Sequence, residues 1–277
     1  MTISRKIGMT MCAALVVALS SAAQAEIKSE WVEYVHGDVK LKGYLAYDDS
    51  IRGRRPAVLV IHARDGMTQN ARNNVESFAK LGYVAFAADM FGYGQGVLPK
   101  DVPEMQAQTA IYNKDRPLMR SRAQAGYDAL LKNPMVDATK VALSGYCFGG
   151  TVGVEFGSTG VPLAANIAFH GSFNNHQPGW AKTIKGRYLI LHGAEDAGFP
   201  LTTVAGIIDE LRAAKVPFQY EVYSGATHGF TVPKSEPDKR ANIQSRASAA
   251  RFLKETFSGR VAVAADPGEE APPSNRP

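Results

Sequence analysis

The stretch that most constrains this chain runs from Val141 to Gly150. Val141-Ala142-Leu143-Ser144 is a short apolar run, Gly145-Tyr146-Cys147-Phe148-Gly149-Gly150 follows it, and Phe148 to Phe156 reads as a helix. A strand that turns into a helix through G-x-C-x-G-G has the form of a nucleophile elbow, with sulfur where a serine hydroxyl is usual. The central residue sits on a strained turn, and the glycines keep Cβ atoms from blocking the approach of helix and neighbouring strand. Backbone N–H groups at the helix N-terminus then favour the thiolate, the reactive form of sulfur. The Phe148 N–H is placed to donate to an oxyanion. The bland alternative is that Cys147 is a small buried hydrophobe, which is what free cysteine most often is.

The pattern around the elbow is an alternation of strands and helices. Glu30 to Tyr47 alternates apolar and polar residues around His36-Gly37-Asp38, as an antiparallel hairpin does. Strands are expected at Ala57 to Ile61, Tyr83 to Ala87, Lys140 to Leu143, Ala164 to Phe169, Arg187 to Leu191 and Phe218 to Tyr223. Between them, helical patterning covers Ala71 to Leu81, Pro103 to Leu131 in one or two pieces, Leu201 to Ala214 and Pro237 to Thr256. The short, wholly apolar strands suit the centre of a parallel sheet covered on both faces, and the hairpin suits its antiparallel edge. This is the element order of an α/β-hydrolase fold: a mostly parallel sheet with an antiparallel N-terminal edge hairpin and helices on both faces, expected over residues 26–260.

Both ends differ from this body. Arg5 and Lys6, the apolar run Met9 to Leu19 and Ala23-Gln24-Ala25 form a signal-peptide pattern over residues 1–25. An uncleaved anchor is the alternative, but the apolar run falls short of the ~20 residues a spanning helix needs. Cys12 does not follow a lipobox-like pattern. The expectation is therefore an exported, periplasmic protein. Residues 261–277, rich in Ala, Pro, Gly and acids, are expected to form a disordered tail. Losing the first 25 residues removes two cations from the +5 formal charge, and the small excess that remains gives no reason to expect nucleic acid as a partner. It also removes Cys12 and leaves Cys147 as a lone thiol in an oxidising compartment.

In a fold of this order the acid and then the histidine follow the nucleophile, each on a loop beyond a later strand. Asp196 lies just past Arg187 to Leu191, and His228 lies past Phe218 to Tyr223 and before the last helix. Glu195 competes with Asp196 as the orienting acid, and Asp196 could instead cap the helix after it. Of the other histidines, His36 and His176 fall in turns or loops, His170 and His192 end strands, and His62 ends the first central strand, where it could shape a pocket.

Over Trp31 to Phe257 these residues resemble the dienelactone hydrolase family, a cysteine-using branch of the α/β-hydrolases. The Gly145-Tyr146-Cys147-Phe148-Gly149-Gly150 elbow, the Cys147–Asp196 and Asp196–His228 intervals and Gly82 to Gly94 carry the resemblance. It also exposes departures. Members acting on dienelactone have a glutamate that helps activate the thiol, and Ala63 stands at that position in His62-Ala63-Arg64-Asp65-Gly66. Their two carboxylate-binding arginines correspond to Tyr93 and Val232. The resemblance thus implies hydrolysis of a small ester or lactone with a changed substrate pocket, and Arg64 is a candidate for a substitute cation.

The expected chemistry is covalent. Cys147 attacks a carbonyl, the N–H groups of Phe148 and Arg64 hold the oxyanion, His228 activates water, and Asp196 orients His228. His62, Tyr93, Tyr146 and Phe230 are expected near the pocket, although aromatic residues of this kind are more often core. Because a thiolate is itself a good leaving group, activated esters and enol lactones suit it better than amides. The rival readings are a ligand-binding protein on a hydrolase scaffold and a thiol redox sensor. No metal or nucleotide motif is present, and no cofactor is expected.

Overall fold

The computed structural model describes residues 26–173 and 176–259. The expected signal peptide and the C-terminal tail both lie outside the described residues. Within them, eight strands form one sheet in the order β1-β2-β4-β3-β5-β6-β7-β8. The strands are β1 (Ile27–His36), β2 (Val39–Asp48), β3 (Arg55–Ile61), β4 (Val84–Ala88), β5 (Val136–Tyr146), β6 (Ala165–Phe169), β7 (Arg187–Gly193) and β8 (Phe218–Tyr223). The helices are α1 (Gln69–Ala79), α2 (Val102–Lys114), α3 (Arg116–Leu131), α4 (Phe148–Gly157), α5 (Leu201–Ala213) and α6 (Glu236–Ser258). β1 and β2 are the antiparallel hairpin, β2 joins β4 antiparallel, and every other pairing is parallel.

Side-chain alternation along the central strands decides which helices each residue meets. Val58 and Val60 of β3 pack with Val75 and Phe78 of α1 and with Phe252 and Leu253 of α6. Their neighbours Ala57, Leu59 and Ile61 pack on the other face with Met119 and Tyr127 of α3 and Phe156 of α4. Farther along that face, Tyr188 and Ile190 of β7 meet Val204, Ile207 and Leu211 of α5. Strands buried on both faces read as near-continuous apolar runs, which is why β4 (Val84–Ala88) and, apart from the buried Asn166, β6 (Ala165–Phe169) show no alternation in the sequence.

The Pro103 to Leu131 pattern is two helices, broken at Asp115. Its carboxylate accepts the Leu118 N–H and caps α3, while Pro117 occupies the first turn. α3 packs into the core, whereas α2 buries only Tyr112 and lies across the carboxyl ends of the strands.

Candidate active site

Cys147 connects β5 to α4 at φ 51° and ψ −112°, a region that side chains rarely adopt. The turn is pinned by its own backbone. Cys147 N–H donates to the Phe169 carbonyl at 3.1 Å, and its carbonyl accepts from Gly150 N–H at 2.8 Å and Ser172 N–H at 2.9 Å. A Cβ on Gly145 would run into the Gly149 carbonyl, and one on Gly149 into the Ile61 carbonyl. Helix and strand therefore approach more closely than any side chain at those positions allows.

Three loops at the strand ends bring a thiol, an imidazole and a carboxylate into line. His228 Nε2 lies 3.0 Å from Cys147 Sγ, and His228 Nδ1 lies 2.7 Å from Asp196 Oδ2. Asp196 is 2% exposed, and its Oδ1 accepts the N–H groups of Gly198 (3.1 Å) and Phe199 (3.0 Å). Glu195 points to solvent, and α5 begins beyond Pro200, so Asp196 neither yields its place to Glu195 nor caps that helix. Cys147 is 8% exposed, enough to be reached from the cavity beside it.

Electrostatics favours charge separation along this series. Burial pushes the Cys147 thiol up, but hydrogen bonds from His228, Ser172 and the Phe148 N–H, with the charge on His228, bring it below its ordinary range. Burial lowers His228, yet Asp196 and Cys147 together push it up to about 10. Asp196 is buried too, but the His228 bond holds its carboxyl below the usual value. The two shifts run in opposite directions, Cys147 down and His228 up, so both act toward a thiolate–imidazolium pair.

Arg64 borders the two cavities that meet at Cys147 and His228. Its N–H has no hydrogen-bond partner among the described residues, and the Phe148 N–H faces the sulfur from the first turn of α4. The larger cavity, about 450 Å³, extends from Cys147 to Phe199 and to Gln106, Thr109 and Asn113 of α2. The smaller, about 230 Å³, holds Asp65, Thr231, Val232 and Lys234.

The four residues expected near the pocket line neither cavity. His62 is 1% exposed: its Nε2 accepts the Met90 N–H at 3.2 Å and its Nδ1 donates to the Ala63 carbonyl at 2.7 Å. It fastens the loop that carries Arg64 instead of facing a ligand. Tyr93 stacks on Trp31 at 5.0 Å, Tyr146 stacks on Phe169 at 4.7 Å, and Phe230 packs edge-on to His170 at 5.1 Å. Each is held in core or surface ring packing, the commoner fate of an aromatic residue.

Ser172 and the α2 residues were not anticipated from the sequence. Ser172 Oγ lies 3.4 Å from Cys147 Sγ. Gln106, Thr109 and Asn113 recur at i, i+3 and i+7, the spacing of one helical face, so a polar stripe on a weakly buried helix was the available signal. Among the described residues no group of three or more His, Cys, Asp and Glu side chains could hold a metal ion.

A parallel sheet with a strained elbow, and with loops converging on it from later strands, defines a hydrolase of the α/β-hydrolase fold. The chain belongs to the dienelactone hydrolase family, whose model matches residues 41–257. A Synechocystis sp. protein carrying the provisional name carboxymethylenebutenolidase is 28% identical over 242 residues, spanning 83% of this chain and 95% of its own. An Aquifex aeolicus protein of the same provisional name is 27% identical, spanning 81% of this chain and 97% of its own. Among solved structures, a dienelactone hydrolase-like promiscuous phosphotriesterase from metagenomic libraries is 32% identical, with a TM-score of 0.78 over 84% of this chain and 99% of that one.

Proposed function

We propose that this protein hydrolyses small carboxylic esters or lactones through an acyl-thioester on Cys147. The observation that carries the reading is the unbroken series Sγ–Nε2 at 3.0 Å and Nδ1–Oδ2 at 2.7 Å, beginning on a strained elbow. The thiolate attacks the carbonyl carbon, a C–S bond forms, and the carbonyl electron pair moves to oxygen, which the N–H groups of Phe148 and Arg64 stabilise. The intermediate collapses, the ester C–O bond breaks, and the His228 imidazolium gives its proton to the departing alkoxide. Neutral His228 then takes a proton from water as that water attacks the thioester. Expulsion of the thiolate releases the acid and restores the starting ion pair.

The pocket supports a substrate other than dienelactone. Tyr93 is stacked away on Trp31, Val232 brings no charge, and the larger cavity presents neutral hydrogen-bonding groups from α2. Arg64 and Lys234 are cations able to meet an anionic substituent in the smaller cavity. Export to the periplasm is part of the same reading and rests on the N-terminal pattern alone.

The test is turnover of p-nitrophenyl acetate, an enol lactone and a p-nitrophenyl phosphotriester, with intact-mass detection of any adduct. The phosphotriester belongs in the panel because the 32% identical structure is so named. An acyl adduct confined to Cys147, with turnover lost in Cys147→Ala, is the expected result. Turnover that survives Cys147→Ala would overturn the thioester on Cys147, and no turnover on any ester would overturn the reading as a whole and favour a binding protein on this scaffold.

A further inference from the structure

Cys147 Sγ has a second side-chain partner besides His228, and it comes from the loop after β6. Ser172 is 7% exposed, and its Oγ, 3.4 Å from the sulfur, has no other hydrogen-bond partner among the described residues. The residue is fixed on both sides of its side chain. Its N–H donates to the Cys147 carbonyl at 2.9 Å, and its own carbonyl accepts the hydroxyl of Thr151 on α4. The hydroxyl is thus tied by backbone to the turn that carries the sulfur it faces.

A thiol has one proton and can donate to only one neighbour. Here the sulfur sits between His228 Nε2 and Ser172 Oγ, with the Phe148 N–H as a third group directed at it. A thiol would give its proton to His228 Nε2 and accept weakly from the other two, whereas the thiolate accepts from all three and is the stronger acceptor for the Ser172 hydroxyl, which has no other partner among the described residues. The other charged and titratable groups around it come from different elements. They are Asp196 behind His228, His170 at the end of β6 with its ring 5.3 Å from that of His228, and Arg64 and Asp65 after β3. Asp65, which lines the smaller cavity, accepts the Thr68 hydroxyl at 2.9 Å, and Ala63 puts no carboxylate at the family's glutamate position.

Resting on the reading of Cys147 as nucleophile, we propose that Ser172 holds its sulfur as a thiolate in the free enzyme. The nucleophile is then charged and aimed before substrate arrives, through a fixed hydroxyl donor and without a substrate-triggered carboxylate. Ser172 touches the reacting atom and acts in the resting state as well as during attack.

The experiment is the pH dependence of Cys147 alkylation by iodoacetamide, without substrate, in the wild type, Ser172→Ala and Ser172→Thr. Loss of one hydrogen bond to the anion is expected to raise the midpoint in Ser172→Ala by about one pH unit, so that alkylation on the acid side slows about tenfold. Rates should converge at alkaline pH, and Ser172→Thr should return the midpoint toward the wild type. A purely structural role would lower the rate at every pH without moving the midpoint; that result, or no change, overturns the proposal. Thiolate absorbance of the unmodified wild type supplies a reading that needs no variant, and a protonated sulfur at neutral pH overturns the proposal as well. Neither readout requires ester turnover. A shifted midpoint without hydrolysis would sink the esterase reading alone, and hydrolysis with an unmoved midpoint would sink this one alone.

Discussion

Cys147 and His228 must carry opposite charges for attack and for departure of the alcohol, so pH acts on them in opposite directions. The thiolate is present above the lowered pKa of Cys147, and the imidazolium is present below about 10. Ester hydrolysis should therefore follow a bell, with its acid limb below the ordinary thiol range and its alkaline limb near 10, measured as kcat/KM against pH. Asp196→Asn removes the 2.7 Å carboxylate partner that raises His228. It should cut kcat by on the order of 10²–10⁴ and move the alkaline limb down, and an unchanged limb would sink Asp196 as the orienting group. Ala63→Glu adds a carboxylate to the wall of the smaller cavity beside Cys147. Like charge disfavours the thiolate, so iodoacetamide alkylation at neutral pH should slow in the variant, whereas a faster reaction would mean that the new carboxylate serves as a base.

Among the elements, α4 depends most on close backbone approach and α2 least on burial. Gly149→Ala forces a methyl group against the Ile61 carbonyl, a rigid strand atom that cannot rotate aside. A cost of about 2–3 kcal/mol follows, seen as a Tm lower by roughly 5–10 °C in thermal unfolding, and a Tm within a degree of wild type would refute the tight packing. α2 buries only Tyr112, whereas α3 buries seven residues, so amide exchange should be faster along Val102–Lys114 than along Arg116–Leu131. A covalent acyl analogue on Cys147 should slow exchange at Gln106, Thr109 and Asn113 if they meet the substrate. The break between α2 and α3 had a local signal that a reading of one or two pieces leaves unused. Asp115 caps α3 and Pro117 fills its first turn, and both are readable in one dimension. β5 starts at Val136 and not at Lys140: Asp137-Ala138-Thr139-Lys140 form no apolar run, and the pairing of Val136 with Arg55 is what extends the strand over them. Such pairing leaves no apolar signature to read.

At the scale of the molecule, the alternation of strands and helices, the antiparallel edge hairpin and the chain order Cys147, Asp196, His228 can be read along the sequence, whereas the β2-β4-β3-β5 order cannot. The pocket cannot, because its walls come from α2, from the loop after β6 and from the segment after Asp196, which meet only once the sheet has formed. Tyr146 and Phe230 neighbour site residues in sequence and Tyr93 stands at a family arginine's position, yet each packs against another ring and lines neither cavity. The remaining whole-chain question is where the protein works, and the lone sulfur makes the answer measurable. If Met1 to Ala25 is a cleaved leader, expression of the full chain in a Gram-negative host should yield a soluble periplasmic product that begins at Glu26 by intact mass. That product contains one cysteine, Cys147, so Ellman's reagent should titrate one thiol per chain both before and after reduction. Retention in the membrane fraction at full mass would establish an anchor instead. No thiol before reduction and two after it would place Cys12 in the mature protein in a disulfide with Cys147, which a resting thiolate nucleophile could not tolerate.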